Sequence, residues 1–207
     1  MNEGAGEAAL DAETKIKEAA RRVFLEKGFE GATIRQIADE AGVNLAMVNY
    51  YFRSKDELFK SIYLETFREF LGRMAILLNE ETPLEVKIWK AVDRYTDFIM
   101  DNPLIPNFIL SEQRKNGAAF FREMNIKGLI ENSLFRKQLI QEAEKGNIRP
   151  IHPLQVIITM LSSIVFPVMA KPILSYVGTL DDAGFRQFME SRKQIVPEMI
   201  MTYLRQV

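Results

Sequence analysis

Chemistry needs side chains that attack, ligate or exchange protons, and this chain of 207 residues is poor in the reactive ones. It holds no Cys and a single His, His152. Disulfides, thiolate nucleophiles and ordinary zinc sites are removed together. No nucleophile–base set, paired metal ligands or phosphate loop stands out elsewhere. The expectation is a protein that is not an enzyme, with no metal site and no cofactor. His152, wedged between Ile151 and Pro153, reads as a loop or helix-start residue. Gly4-Ala5-Gly6 reads as terminal tail, because no strand pattern precedes it to make a dinucleotide fingerprint. What remains is recognition: Leu45, Ala46, Asn49 and Tyr50 make a slim, partly polar strip suited to a groove, if a frame holds them outward.

The frame is written in the neighbouring residues. Ile34, Ile37, Ala38 and Ala41 recur at helical spacing behind a capping box, Thr33-x-x-Gln36. Gly42 supplies a tight turn, Val43 plugs the core beneath it, and Asn44 caps a further helix over about 45–51 with Met47 or Val48 inward. Two short helices joined at Ala41-Gly42-Val43 have helix-turn-helix spacing. Upstream, Ile16, Ala20, Val23 and Phe24 stripe a helix from about Asp11 to Lys27, which Gly28 stops. Downstream, Ser54-x-x-Glu57 opens a long helix to about Asn79. Thr82-Pro83 starts another helix and Asn102-Pro103 ends it; further helices are predicted over 104–116, 119–145, 154–176 and 181–205, with Pro167 and Pro197 kinking or splitting the last two. No period-two alternation persists. The fold class is all-α: an N-terminal three-helix module joined by a long helix to a larger C-terminal helical bundle, about nine helices in all. A composition 47% hydrophobic and 27% charged supports a real core.

The run from Thr33-Ile34-Arg35-Gln36-Ile37-Ala38 through Gly42-Val43-Asn44 to Asn49-Tyr50-Tyr51-Phe52-Arg53-Ser54-Lys55, with Lys27-Gly28-Phe29 upstream, resembles the DNA-binding region of the TetR (tetracycline-repressor-like) family of bacterial transcription regulators. The motif covers residues 12–60; beyond it only helical character and length agree. The resemblance implies a flexible tail over 1–10, a DNA-binding domain over 11–55 and an effector-binding and dimerisation domain over 56–207. It implies a homodimer, joined through its last two helices, on a palindromic operator in double-stranded DNA. A small-molecule effector would release it. Carried over by position, Thr33, Tyr50 and Tyr51 contact phosphate, and Arg35 reaches a guanine edge or phosphate. Leu45 and Ala46 meet thymine methyls, Asn49 pairs with adenine where many members have Tyr, and Lys55 joins the helix start beside the backbone. Asn44 belongs to the same surface. The residues allow other uses: Arg35 paired with Asp39, Asn49 idle, Lys55 merely solvated, Tyr51 and Phe52 in the core. Nine bases meet nine acids between residues 11 and 60, so the module has no net charge and a shallow salt dependence is expected.

For the effector side, Met and aromatic residues suit an irregular apolar cavity. The candidates are Phe67, Phe70, Met74, Trp89, Tyr95, Phe98, Phe108, Phe121 and Met124, with Glu112, Arg114 and Lys115 near one rim; ordinary core is the alternative for each. The uncharged stretch from Pro153 to Ala170 reads as a buried helix or subunit contact, not a membrane span, because Gln155, Thr159, Ser162 and Ser163 interrupt it. With no export signal, the cytoplasm is the expected compartment. A rival overall reading is an all-α ligand-binding or scaffold protein without specific DNA recognition.

Overall fold

The computed structural model describes residues 3–111, 122 and 124–205, with side chains from Asp11 onward. Those residues contain helices and no strand. In order they are α1 (Glu3–Gly31), α2 (Ile34–Ala41), α3 (Leu45–Tyr51), α4 (Lys55–Asn79), α5 (Leu84–Asp101), α6 (residues 105–111), α7 (Ile126–Glu131), α8 (Leu134–Glu144), α9 (Pro153–Met169), α10 (Lys171–Gly178) and α11 (Asp182–Arg205). They fall into two compact units: residues to Glu69 with a segment from Asn107, and Phe70–Pro106 with the remainder.

The first unit follows its local signals closely. Thr33 Oγ1 accepts from the Gln36 N–H while the Gln36 side chain accepts from the Thr33 N–H, so the capping box is complete. Gly42 sits at φ 67°, ψ 30°, the left-handed turn a side chain would strain. Asn44 Oδ1 accepts from the Met47 N–H at 2.8 Å, and Ser54 Oγ accepts from the Glu57 N–H at 3.1 Å. Gly28, at φ 67° and ψ −178°, interrupts α1 as expected, though helix resumes beyond it to Gly31. Ile37, Ala38 and Val48 are buried, whereas Ile34, Ala41 and Val43 are half-buried because they sit at the ends of two short helices. The core joins Ile16, Phe24, Leu58 and Ile62 to a ring cluster in which Phe59 meets Phe24 at 4.9 Å and Phe108 at 5.5 Å. Each such side chain contributes about 1.5–3 kcal/mol by leaving water.

In the second unit α5 is the central helix, packed by α8, α9 and α11. Its buried face carries Ile88, Val92, Tyr95 and Ile99. Two polar ties lie along it. Lys193 of α11 bonds Asp97 at 2.6 Å and reaches Asp93 at 3.4 Å, and the buried Lys87 ammonium donates to the Leu78 carbonyl at 3.2 Å.

Three expectations for this unit are corrected. The described residues form eleven helices, not about nine. The span predicted over 119–145 is divided at Asn132-Ser133, because the Ser133 hydroxyl caps α8 through the Arg136 N–H. The span over 154–176 breaks at Ala170, three residues after the proline expected to break it, and α10 leaves α9 at 75°. Pro172 stands in the first turn of α10, where its missing N–H costs nothing. Pro167 lies inside an intact α9 because Arg192 of α11 replaces the absent donor: its Nε and Nη2 reach the Ser163 carbonyl, four residues before the proline, at 3.0 and 2.9 Å. α11 likewise runs unbroken past Pro197.

Candidate functional site

Thr33, Asn44 and Lys55 occupy the starts of three successive helices in the first unit. Helix starts carry unbonded N–H groups and a partial positive charge. Thr33 spends its hydroxyl oxygen on the cap, which leaves its proton available to a phosphate oxygen. Asn44 keeps its NH₂ group available in the same way.

Between those starts, Leu45, Ala46, Asn49 and Tyr50 of α3 are all exposed, with Tyr50 at 82%. Val48 faces the core at 0% exposure, so α3 has one side in the protein and one in solvent. Tyr51 is half-buried, its ring edge-on to Tyr50 at 5.2 Å, and Phe52 is buried. Tyr51 thus lies partly in the core and keeps part of its surface open.

Charge pairing sorts the basic residues. On α1, Lys15 pairs with Asp11, Lys17 with Glu13 and Glu65, Arg21 with Glu69, and Arg22 with Glu40. Hydrogen bonding to Glu65 holds the Lys17 ammonium above its usual range. Among the described residues no ion pair engages Arg35, Arg53 or Lys55, and Arg35 is not drawn to Asp39. The net-zero module therefore keeps Arg35, Arg53 and Lys55 uncommitted near α2, α3 and the start of α4, with Lys27 and Lys60 likewise outside any ion pair among the described residues.

Lys55 has a different anchor. Its Nζ sits 4.3 Å from the centre of the Phe29 ring, a cation–π contact that aims the ammonium without neutralising it. Phe29 was legible only as part of a motif. Its service to a residue 26 positions later depends on the bend at Gly28, which local pattern does not reveal.

Residues 16–62 match the profile of bacterial regulatory proteins of the tetR family. Two relatives extend the likeness further along the chain. The HTH-type transcriptional repressor AcnR of Corynebacterium glutamicum is 26% identical over 80% of this chain and 84% of its own. The HTH-type transcriptional regulator RutR of Escherichia coli is 26% identical over 93% of this chain and 92% of its own. Residues 16–62 are thus a DNA-binding region of the TetR type. In structure it resembles the transcriptional regulator FadR of Bacillus subtilis, solved in complex with stearoyl-CoA, with TM-score 0.64 and 17% identity over 93% of this chain and 99% of that one. With that region, and with relatives along most of its length that are transcription regulators, the chain is a DNA-binding transcription regulator.

The effector-side candidates do not share one location. Phe67 and Phe108 belong to the first unit and are buried there. Phe70, Met74, Trp89, Tyr95, Phe98 and Met124 belong to the second. Phe121, with Glu112, Arg114 and Lys115, lies outside the described residues. Tyr95 and Phe98 line a 180 Å³ cavity with Ile76 and Leu77, and Phe70 packs against both rings. Arg73 and Arg94, which reading along the chain missed, border the same cavity; Arg73 lies over the Phe98 ring at 4.6 Å. Buried Tyr95 gives its hydroxyl to the Phe70 carbonyl, and burial pushes its pKa well above 10. It is a neutral donor at any physiological pH. His152 caps α9, its Nδ1 accepting from the Leu154 N–H. No cluster of metal-ligating residues occurs among the described residues, and no single helix there is long and apolar enough to cross a membrane.

Proposed function

We propose that this chain is a ligand-responsive repressor that binds a palindromic operator as a homodimer and is released by a small effector. The observation that carries the reading is the open face of α3. Asn49 is exposed with its amide uncommitted, beside Leu45 and Ala46, and unpaired Arg35 and Lys55 stand on the neighbouring helices. Asn49 pairs bidentately with adenine and Arg35 with guanine or phosphate, while Leu45 and Ala46 pack on thymine methyls. Thr33, Asn44, Tyr50, Tyr51 and Lys55 hold the backbone and set the register. The module over 11–55 is the reader; 56–207 takes the effector and dimerises.

Dimerisation runs through the last long helices. Leu154, Ile158 and Phe166 of α9 and Ile195, Met199 and Tyr203 of α11 are large apolar side chains exposed in the isolated chain. Reading the two halves of a palindromic operator requires the two α3 helices to lie about one helical turn of DNA apart, roughly 34 Å. The effector is apolar or aromatic, received beside Tyr95 and Phe98. The acyl-CoA held by the FadR neighbour is consistent with that chemistry. Release requires the effector to prefer the DNA-incompetent spacing of the two copies. α4, which contributes residues to both units, is the route between them. The cytoplasm, where the DNA is, is the working compartment.

Fluorescence anisotropy with duplex DNA from upstream of the chain's own reading frame, with heparin as competitor, tests the reading. Specific binding is expected to survive heparin. Asn49→Ala should weaken it by about 5- to 150-fold, the equivalent of about 1–3 kcal/mol. Lys55→Ala should weaken all sequences alike. Binding that heparin abolishes, or that neither substitution alters, returns the chain to the class of all-α ligand-binding or scaffold proteins.

A further inference from the structure

Helix α10 is only lightly held in a single copy of the chain: Leu174 is half-buried beside Phe166, Pro167 and Phe188, and Lys171 lies over the Phe185 ring. It is eight residues long and buries none of them. Isolated helices shorter than about 12–15 residues are marginal in water, and most helices are held by an apolar face packed on something. Yet α10 has such a face: Ile173, Tyr176 and Val177 are 62%, 86% and 74% exposed. Its sole charge, Lys171, is held at its first position by Asp182 at 2.7 Å. The face is complete and uncovered.

At the other end of the same helix pair lies a complementary shape. Ile151, Val156, Met199, Ile200 and Tyr203 line an open groove of about 480 Å³ between the start of α9 and the end of α11. The groove's lining residues and the outer face of α10 are uncharged, with the Arg149 guanidinium resting on the Tyr203 ring at 4.3 Å. α9 and α11 run antiparallel, since early α9 meets late α11 here while late α9 meets early α11 around Phe166, Phe188 and Arg192. The pair thus has a groove end and an α10 end.

We propose that α10 is an arm that seats in the α9–α11 groove of a second copy of this chain, an inference that rests on the dimer described under the proposed function. In a two-fold interface, if patch i touches patch j, then j touches i. A two-fold axis perpendicular to the helix pair lays each α10 end over the partner's groove end and covers all four patches. An axis parallel to the helices brings like ends together and leaves both grooves open. The first arrangement is the one that covers the apolar outer face of α10, Ile173, Tyr176 and Val177. The arm follows α9 directly in the chain, with only Ala170 between them, so it extends that helix's contact rather than forming a separate one.

The natural absence of Cys makes the test direct. Tyr176 and Met199 are both exposed, so replacing them leaves the core of the chain intact. Tyr176→Cys combined with Met199→Cys is expected to yield a covalent dimer on mild oxidation, seen on a non-reducing gel; Tyr176→Cys alone is not. Val177→Glu should raise the dimer dissociation constant about tenfold or more in analytical ultracentrifugation. It should leave the melting of the monomer unchanged. A dimer that forms but gives no bridge in the double variant, or a bridge from Tyr176→Cys alone, overturns the arm and leaves the dimer standing. A chain that stays monomeric at all concentrations overturns both. Flotation with phosphatidylglycerol vesicles, abolished by Val177→Glu, would assign α10 to lipid and overturn the arm.

Discussion

A buried ammonium and a half-buried one show how the same residue type is put to opposite uses. Lys87 is 1% exposed, and its single shown partner is a backbone carbonyl, so burial lowers its pKa from 10.5. The unfolded chain then holds that proton more tightly than the folded one. Lys87 therefore weighs against folding while charged, and this penalty is relieved as pH climbs through the folded pKa toward 10.5. Lys87→Met should be no less stable at neutral pH, and urea titrations should show wild type gaining on it as the solution is made alkaline. A stability difference independent of pH would refute the account. Lys55, in contrast, keeps its charge and rests it on an aromatic ring. Neither role was legible in the chain, because each depends on a neighbour brought in by the fold: Leu78 from the preceding helix, Phe29 from across the bend at Gly28.

At the scale of helices, starts were more legible than breaks. The Thr33, Asn44 and Ser54 caps operate over three residues, so chemistry and spacing sit in one short window. The stop at Asn132-Ser133 had equally ordinary residues, but the apolar periodicity around it concealed it. Proline misled in another way. Pro167 has the local signature of a break, and what cancels it is an arginine 25 positions later. That compensation predicts coupling. Arg192→Ala should cost about 1–3 kcal/mol by stranding the Ser163 carbonyl. In a Pro167→Ala background, where the helix supplies its own N–H, the same change should cost much less. A double-mutant cycle by chemical denaturation measures the difference, and strict additivity would dismiss the explanation. The Arg73–Arg94 border of the Tyr95 cavity escaped notice for a related reason: two helices supply it, and neither alone has a pattern pointing to a site.

For the molecule as a whole, charge placement matters more than charge total. The formal net charge of −1 gives no general attraction to DNA. Most α1 bases are tied to acids, and Arg35, Arg53 and Lys55 are left to meet phosphates. Three cations from each of two copies give a slope of log K against log salt no steeper than about −5. Anisotropy titrations across a salt series should find that value or less. A much steeper slope would mean that the ion pairs of α1 open on DNA.

The arginine that completes α9 has a kinetic corollary. A helix that depends on another for one rung of its ladder does not open alone, and the donor cannot leave without exposing an unmet carbonyl. Backbone amides around Ser163 and around Arg192 should therefore trade their hydrogens for deuterium in one concerted step, as a single cooperative unit, although they belong to different helices.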